Sequence, residues 1–337
     1  MMLASVQDKI VSVAKLRAWK LAIVGPSVFW YFPILYALLT TNPTVNPFGL
    51  TALVIVLMIS ASWGFLLNDL FDREADAKSN RADASHGHGL TKTQMEILIL
   101  STAAISWVIV FSIGGGYVFK VVLAVNYLWG IFYSTPPVKL KVRRFWGLLA
   151  NSLMERPLPI LVFLTYMGYF NILTILFPVM MELSWSVFKH QAADVKEDIA
   201  AHIDTFAAHL GEELSSKIVR DFLNPLSFLM VLSLIVISWL NIAGLRPLMA
   251  IVFVLVVTGT SAAYIGEKRG RVTTYFTSTD PPYIIFLNLA YRFVLLPIMA
   301  LGVLDFRQAY YPLIVLLGAT LIFHGYQYSK ILEQRHR

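Results

Sequence analysis

The sequence predicts an all-α, polytopic membrane bundle, and three observations carry that reading. The 337 residues are 57% apolar and only 14% charged, against about 25% charged in a soluble domain, and the mean hydropathy is +0.67. The apolar residues gather in stretches of the roughly 20 residues that a bilayer span requires. The polar links between these stretches alternate short and long, and the basic residues concentrate in the long set.

On the length rule the spans fall near 19–40, 49–68, 94–113, 116–133, 146–167, 170–193, 222–243, 246–265, 283–303 and 309–329. The last two also read as one span plus a partial one, so the expected count is nine to ten transmembrane helices. The links near 41–48, 114–115, 168–169, 244–246 and 304–308 are short, with only Arg246 and Arg307 basic. The links near 69–93, 134–145, 194–221 and 266–282, both tails and the adjoining helix ends hold 22 of the 27 Lys and Arg. The positive-inside rule then places both termini and all long links in the cytoplasm, with a cell (inner) membrane as the expected location. Residues 1–20 lack a short apolar core with a small-residue cleavage site, so the first span is expected to be the insertion signal. Nothing marks a separate soluble domain, and 1–337 reads as one membrane domain. Cysteine is absent, which excludes disulfides, thiolate metal sites and cysteine nucleophiles. The net charge of +7 follows membrane orientation, not a nucleic-acid partner.

Two acidic clusters end apolar segments on this cytoplasmic side. The first is Asn68-Asp69-Leu70-Phe71-Asp72-Arg73-Glu74-Ala75-Asp76 and the second Asp194-Val195-Lys196-Glu197-Asp198. A charge beside hydrocarbon is costly unless paired or metal-bound. At 100° per residue, Asn68, Asp69, Asp72 and Asp76 share a helical arc of roughly 100°, and Asp194 and Asp198 stand one turn apart. Hard oxygens of this kind suit Mg²⁺, which keeps waters and bridges to substrate phosphates. The histidines lack zinc spacing. The offset of four spans between the clusters makes them candidate arms of one site. An ion or metabolite transporter would instead place its charges near mid-membrane on broken helices.

Together with Tyr133-Ser134-Thr135-Pro136-Pro137-Val138-Lys139-Leu140-Lys141, these clusters resemble the three signatures of the UbiA superfamily of intramembrane prenyltransferases, over roughly 15–330. The resemblance implies a helical bundle around a central cavity that opens sideways to lipid under a cytoplasmic cap. It implies Mg²⁺ held by Asn68, Asp72, Asp76, Asp194 and Asp198, with Asp69 as an alternative or supporting ligand, and catalytic roles for Asp72, Asp198, Tyr133 and Lys139. The expected partners are a prenyl diphosphate donor, a small, aromatic acceptor such as a hydroxybenzoate or quinolone, and the bilayer.

A diphosphate leaving group needs positive charge beyond the metals. The candidates are Arg17, Arg73, Lys78, Arg81, Lys139 and Arg143, with Lys139 and Arg81 first, while Lys141 and Arg144 are assigned to lipid head groups. An allylic cation needs an aromatic face, for which Tyr133 leads. Glu155, Arg156, Glu182 and Arg292 fall inside spans, where ionisable groups are functional candidates. Glu182, Ser186, His190, Asp194 and Asp198 form an i, i+4 ladder, which makes Glu182 and His190 candidates for the acceptor pocket. Glu155 and Arg156 serve either the site or the packing.

The stretch Asn80–Leu90 lacks the prolines and second arginine usual in the family and carries His86 and His88. After the second motif, Ile199 and His202 replace the usual Arg and Gly, and Asp204 adds a negative charge, while Thr205 and Gly211 remain. These departures point to a specialised member rather than a housekeeping quinone enzyme. The leading reading is Mg²⁺-dependent prenyl transfer to an aromatic ring. The alternatives keep the site and change the acceptor to a carotenoid, a tetrapyrrole carboxylate or the donor's own double bond, as in a terpene cyclase.

Overall fold

Long apolar helices dominate the computed structural model, which describes residues 27–41, 43, 45–78, 90–200, 203–269 and 281–335, with side chains for all of these except 74–78, 197 and 327–335. The helices are α1 (Ser27–Thr40), α2 (Pro47–Lys78), α3 (Lys92–Ser112), α4 (Tyr117–Ser134), α5 (Arg144–Glu155), α6 (Pro157–Tyr166), α7 (Ile172–Ser184) and α8 (Val187–Ala193). They continue with α9 (Val195–Ala200), α10 (Phe206–Leu210), α11 (Glu212–Ile218), α12 (Asn224–Asn241), α13 (Arg246–Lys268), α14 (Pro282–Ala290), α15 (Leu296–Phe306) and α16 (Tyr311–Arg335). Among the described residues, nine continuous or nearly continuous helical stretches are long and apolar enough to cross a membrane, from Pro47–Arg73 to Gln308–Tyr326. They match nine of the ten segments read from the sequence. The tenth, 19–40, falls on α1, and its first residues lie outside the described set.

The helix α1 is apolar on all sides, and Ser27 to Leu38 are all buried. A helix with no polar face belongs inside a bundle, and α1 packs against α6, α15 and α16. By contrast, α3 leaves Leu100, Val108 and Phe111 exposed and α13 leaves Ile251 and Val254 exposed. Such apolar faces are stable against lipid tails and not against water. The short link between α3 and α4 turns on Gly114 and Gly115, with φ of 73° and 84°, a region that favours glycine.

Arg246 and Arg307, the two basic residues in the short links, are engaged with backbone. Arg246 donates to the carbonyls of Trp239 and Leu240 at 3.2 and 3.3 Å. Arg307 donates to those of Leu38 and Thr41 at 3.2 and 2.6 Å. Each cation satisfies carbonyls left open at a helix C-terminus, which explains basic residues on the otherwise charge-poor side.

Two spans are broken. Pro157 and Pro159 prevent α5 from continuing, and Arg156 takes up the bend at φ −132°, ψ −56°. The sixth span breaks at Trp185 and Ser186 between α7 and α8. Beyond that break, α8 to α11 build a small cap with its own core, including Phe188, Val195, Ala207 and Leu223, onto which Leu148 of α5 packs.

Candidate active site

The first acidic motif sits on the last turns of α2. Lys141 reaches it from the turn after α4: its Nζ donates to Asn68 Oδ1 at 2.9 Å and also to Asp72 Oδ1. These side chains are largely enclosed, at 11% exposure for Lys141 and 23% for Asp72. Ser134 at the end of α4 lies 3.5 Å from the same Asn68 oxygen. Lys141 therefore belongs to the motif and not to the head-group layer. The sequence signal was present, since Lys141 stands two residues after Lys139 in the same signature. The choice between the two depends on the turn, where Lys139 takes a left-handed conformation with φ 39° and stays partly exposed.

The second motif lies in the cap. Asp198 on α9 is 7% exposed and accepts a hydrogen bond from Thr205 Oγ1 at 2.9 Å. Thr205 also pairs with Arg144 through a backbone bridge, and Arg144 Nε donates to Asp204 Oδ2 at 2.8 Å. Arg144 thus ties the α4–α5 turn to the stretch just after the second motif. The segment 139–144 touches the first motif through Lys141 and reaches the second indirectly, through Arg144 and Thr205. Tyr133, just before it, lines the cavity described below.

Other expected residues are placed differently. Asp194 is the exposed C-cap of α8, and its carbonyl accepts from the Asp198 N–H at 2.8 Å. Asp69 is buried at 2% and does not line the cavity. Arg143 is exposed and donates to the Pro137 carbonyl at 3.2 Å. Arg73 is partly exposed near the end of α2. Arg17 and Arg81, and the side chains of Asp76 and Lys78, lie outside the described residues.

The ladder from Glu182 to Asp198 does not run down one helix, because the chain breaks at Trp185 and again at Asp194. Glu182 does not line the cavity that opens among α2, α4 and α5. Its Oε2 accepts from Arg156 Nη1 at 2.8 Å, and its Oε1 caps the Val187 N–H at 2.9 Å. His190 is exposed on α8 and does not line the cavity either. The Arg156–Glu182 pair connects the two broken spans at their breaks. Arg156 also lies 3.3 Å from Glu155 and 5.0 Å above the Phe29 ring. Phe29 in turn packs on Trp185 at 4.5 Å, so Trp185 is packing.

A cavity of about 170 Å³ opens among α2, α4 and α5. Asn68, Tyr133 and Ser134 line it beside the first motif, Trp63 and Phe65 supply apolar walls, and Glu155 is its charged residue. Among the described residues no group of three or more His, Asp or Glu is clustered closely enough to hold a metal by itself. The oxygens nonetheless fit a cation, since those of Asn68 and Asp72 converge on the Lys141 ammonium, and hard carboxylate and amide oxygens are the donors Mg²⁺ prefers.

The UbiA prenyltransferase family matches the sequence over residues 27–272. The chain belongs to this family. Structures of a UbiA homolog from Archaeoglobus fulgidus share the fold. The one bound to GPP and Mg²⁺ is 16% identical, with a TM-score of 0.55 over 90% of this chain and 99% of that one. The one bound to DMAPP and Mg²⁺ is 17% identical, with a TM-score of 0.54 over 89% and 98%. A third is bound to Cd²⁺, with 16% identity and a TM-score of 0.54 over 90% and 99%. No curated protein sequence gives a significant match. The UbiA assignment makes the chain a multi-pass membrane enzyme of the prenyltransferase class.

Proposed function

We propose that this UbiA protein transfers an isoprenyl group from a prenyl diphosphate to an aromatic acceptor. The observation that carries the reading is the segment 139–144, which contacts Asn68 and Asp72 through Lys141 and, through Arg144, pairs with Thr205, the residue that donates to Asp198, beside a cavity of mixed apolar and polar lining. The two ligand-bound A. fulgidus homologs, with GPP or DMAPP and Mg²⁺, support the donor and the metal.

Asn68, Asp72 and Asp198, with Asp69, Asp76 and Asp194 near them, would hold Mg²⁺, which supplies positive charge to the diphosphate. The Lys141 ammonium adds a fixed cation at the same place, where it stabilises charge building on the leaving group. Lys139, Arg143, Arg73, Arg17 and Arg81 remain candidate cations for the outer phosphate. The allylic C–O bond breaks with its electron pair on the diphosphate, and the cation forms against the Tyr133 ring. An electron-rich ring carbon attacks, and the proton on that carbon leaves to the released diphosphate. The second motif lies in the cap, which on this reading limits water access to the cation. The same reading puts the cap and both termini in the cytoplasm, a placement that the distribution of Lys and Arg supports.

Incubation of the purified enzyme with Mg²⁺, labelled geranyl or dimethylallyl diphosphate and a panel of aromatic rings tests this. A prenylated ring is expected. A labelled hydrocarbon product formed equally well without any ring would overturn the assignment in favour of cyclisation.

A further inference from the structure

The inner end of the cavity, away from the first motif, carries a definite electrostatic signature. Ser60 on α2 and Asn126 on α4 line it eight residues before Asn68 and Ser134 respectively, about 12 Å deeper along each helix at 1.5 Å per residue. Asn151 and Glu155 line it from α5. Glu155 is 24% exposed whereas its partner Arg156 is 3% exposed. That opening is to the cavity, because Glu155 is a lining residue and Arg156 is not.

Among the described residues no Lys, Arg or His lines this cavity. The nearest guanidinium, Arg156, is shared by Glu155 and Glu182 at 3.3 and 2.8 Å. Arg292 lies across the Phe29 ring and contacts His324 Nδ1 at 3.0 Å. Trp30 Nε1 donates to the main-chain carbonyl of Glu155 at 3.0 Å, which fixes the end of α5, and the carboxylate itself is positioned by Arg156. The inner end therefore offers a carboxylate, already facing Arg156, and neutral amides and hydroxyls, whereas the Lys141 ammonium lies at the motif end, about 12 Å away.

We infer that the inner end of the cavity receives the acceptor, that the acceptor is a neutral ring bearing hydroxyl or N–H donors, that Glu155 accepts a hydrogen bond from one of them, and that carboxylate-bearing rings are excluded. This rests on the prenyl-transfer reading above and narrows its acceptor. A hydrogen bond to a charged acceptor is among the stronger kinds, while two like charges brought together without water oppose binding. The same bond draws the donor proton toward Glu155 and pushes electron density into the ring, which raises the nucleophilicity of the attacking carbon. The balance is unchanged: one C–O bond breaks, one C–C bond forms and one ring proton leaves with the diphosphate, so no oxidant or reductant is needed.

The test compares 4-hydroxybenzamide with 4-hydroxybenzoate, two rings of equal size that differ in charge. Saturation binding of each is measured on the detergent-purified wild type, Glu155→Gln and Glu155→Lys. The wild type is expected to bind the amide at least about ten-fold more tightly, Glu155→Gln to lose most of that preference, and Glu155→Lys to reverse it. Equal or tighter binding of the benzoate by wild type, or binding of neither ring, would overturn the inference. So would a preference that survives in Glu155→Gln while that variant elutes as wild type on gel filtration. Mg²⁺-dependent binding of geranyl diphosphate to the same wild-type sample reports on the underlying reading. If it is present while the acceptor result fails, only the inference falls; if it is absent, the prenyl-transfer reading falls.

Discussion

Arg156→Leu strips two intramembrane carboxylates of the cation they share. Arg156 is 3% exposed, Glu182 13% and Glu155 24%, so Glu182 is left nearly sealed with its charge uncompensated. Breaking a buried ion pair by removing one partner costs about 3–5 kcal/mol. Glu182→Leu should cost less, because Arg156 keeps Glu155 at 3.3 Å and the added loss is the cap on the Val187 N–H, about 1 kcal/mol. Replacing both partners by leucine removes the stranded charge, and apolar replacements of buried pairs are often neutral. Glu155 alone then remains, and its opening to the cavity lets it stay hydrated. Thermal unfolding in detergent should place Arg156→Leu on the order of 5–10 °C below wild type. Glu182→Leu should fall between the two, and the double variant should recover most of the loss. The reasoning is refuted if Arg156→Leu unfolds with wild type, or if the double variant is no more stable than the single.

Lys141→Met should reduce turnover by about a hundred-fold or more, as for loss of a preorganised charge on a developing anion, while Lys139→Met loses far less; steady-state rates with saturating Mg²⁺ distinguish them, and a reversed order contradicts the placement of Lys141. Thr205→Val removes the donor to Asp198 at 2.9 Å and should lower kcat/KM by about ten-fold, a loss that Thr205→Ser largely restores. The half-exposed Arg144–Asp204 pair should matter little to stability, so Asp204→Ala should change unfolding by less than about 1 kcal/mol. Gly64 lines the cavity and has open space where a side chain would go; Gly64→Leu should therefore impair longer prenyl donors more than dimethylallyl diphosphate in competition assays.

Much of this molecule is written in local features of the chain. The spans are legible because each needs only about 20 apolar residues, and the short links at Gly114 and Gly168 coincide with positive-φ glycines. The acidic motifs are legible because so many carboxylates beside hydrocarbon need a reason. The choice of Lys141 over Lys139 is not, since it depends on a left-handed turn residue that aims one lysine at Asn68 and leaves its neighbour partly exposed. Periodicity also misplaces Glu182 relative to the second motif. An i, i+4 ladder presumes an unbroken helix, and the break at Trp185–Ser186 turns Glu182 back onto Arg156. The pairing of Arg144 with Asp204 and the opening of Glu155 to the cavity are long-range consequences of packing. No window of sequence contains both partners.

The central claim is that the two aspartate motifs form one diphosphate site, and Mg²⁺-dependent diphosphate release from a prenyl donor tests it most directly. Asp72→Ala, Asp198→Ala and the double variant are compared in protein that inserts and elutes as wild type. Residues acting as a unit show non-additive losses, so each single variant should lose activity to nearly the level of the double. Wild-type release by either single variant, or losses that simply multiply in the double, would contradict it.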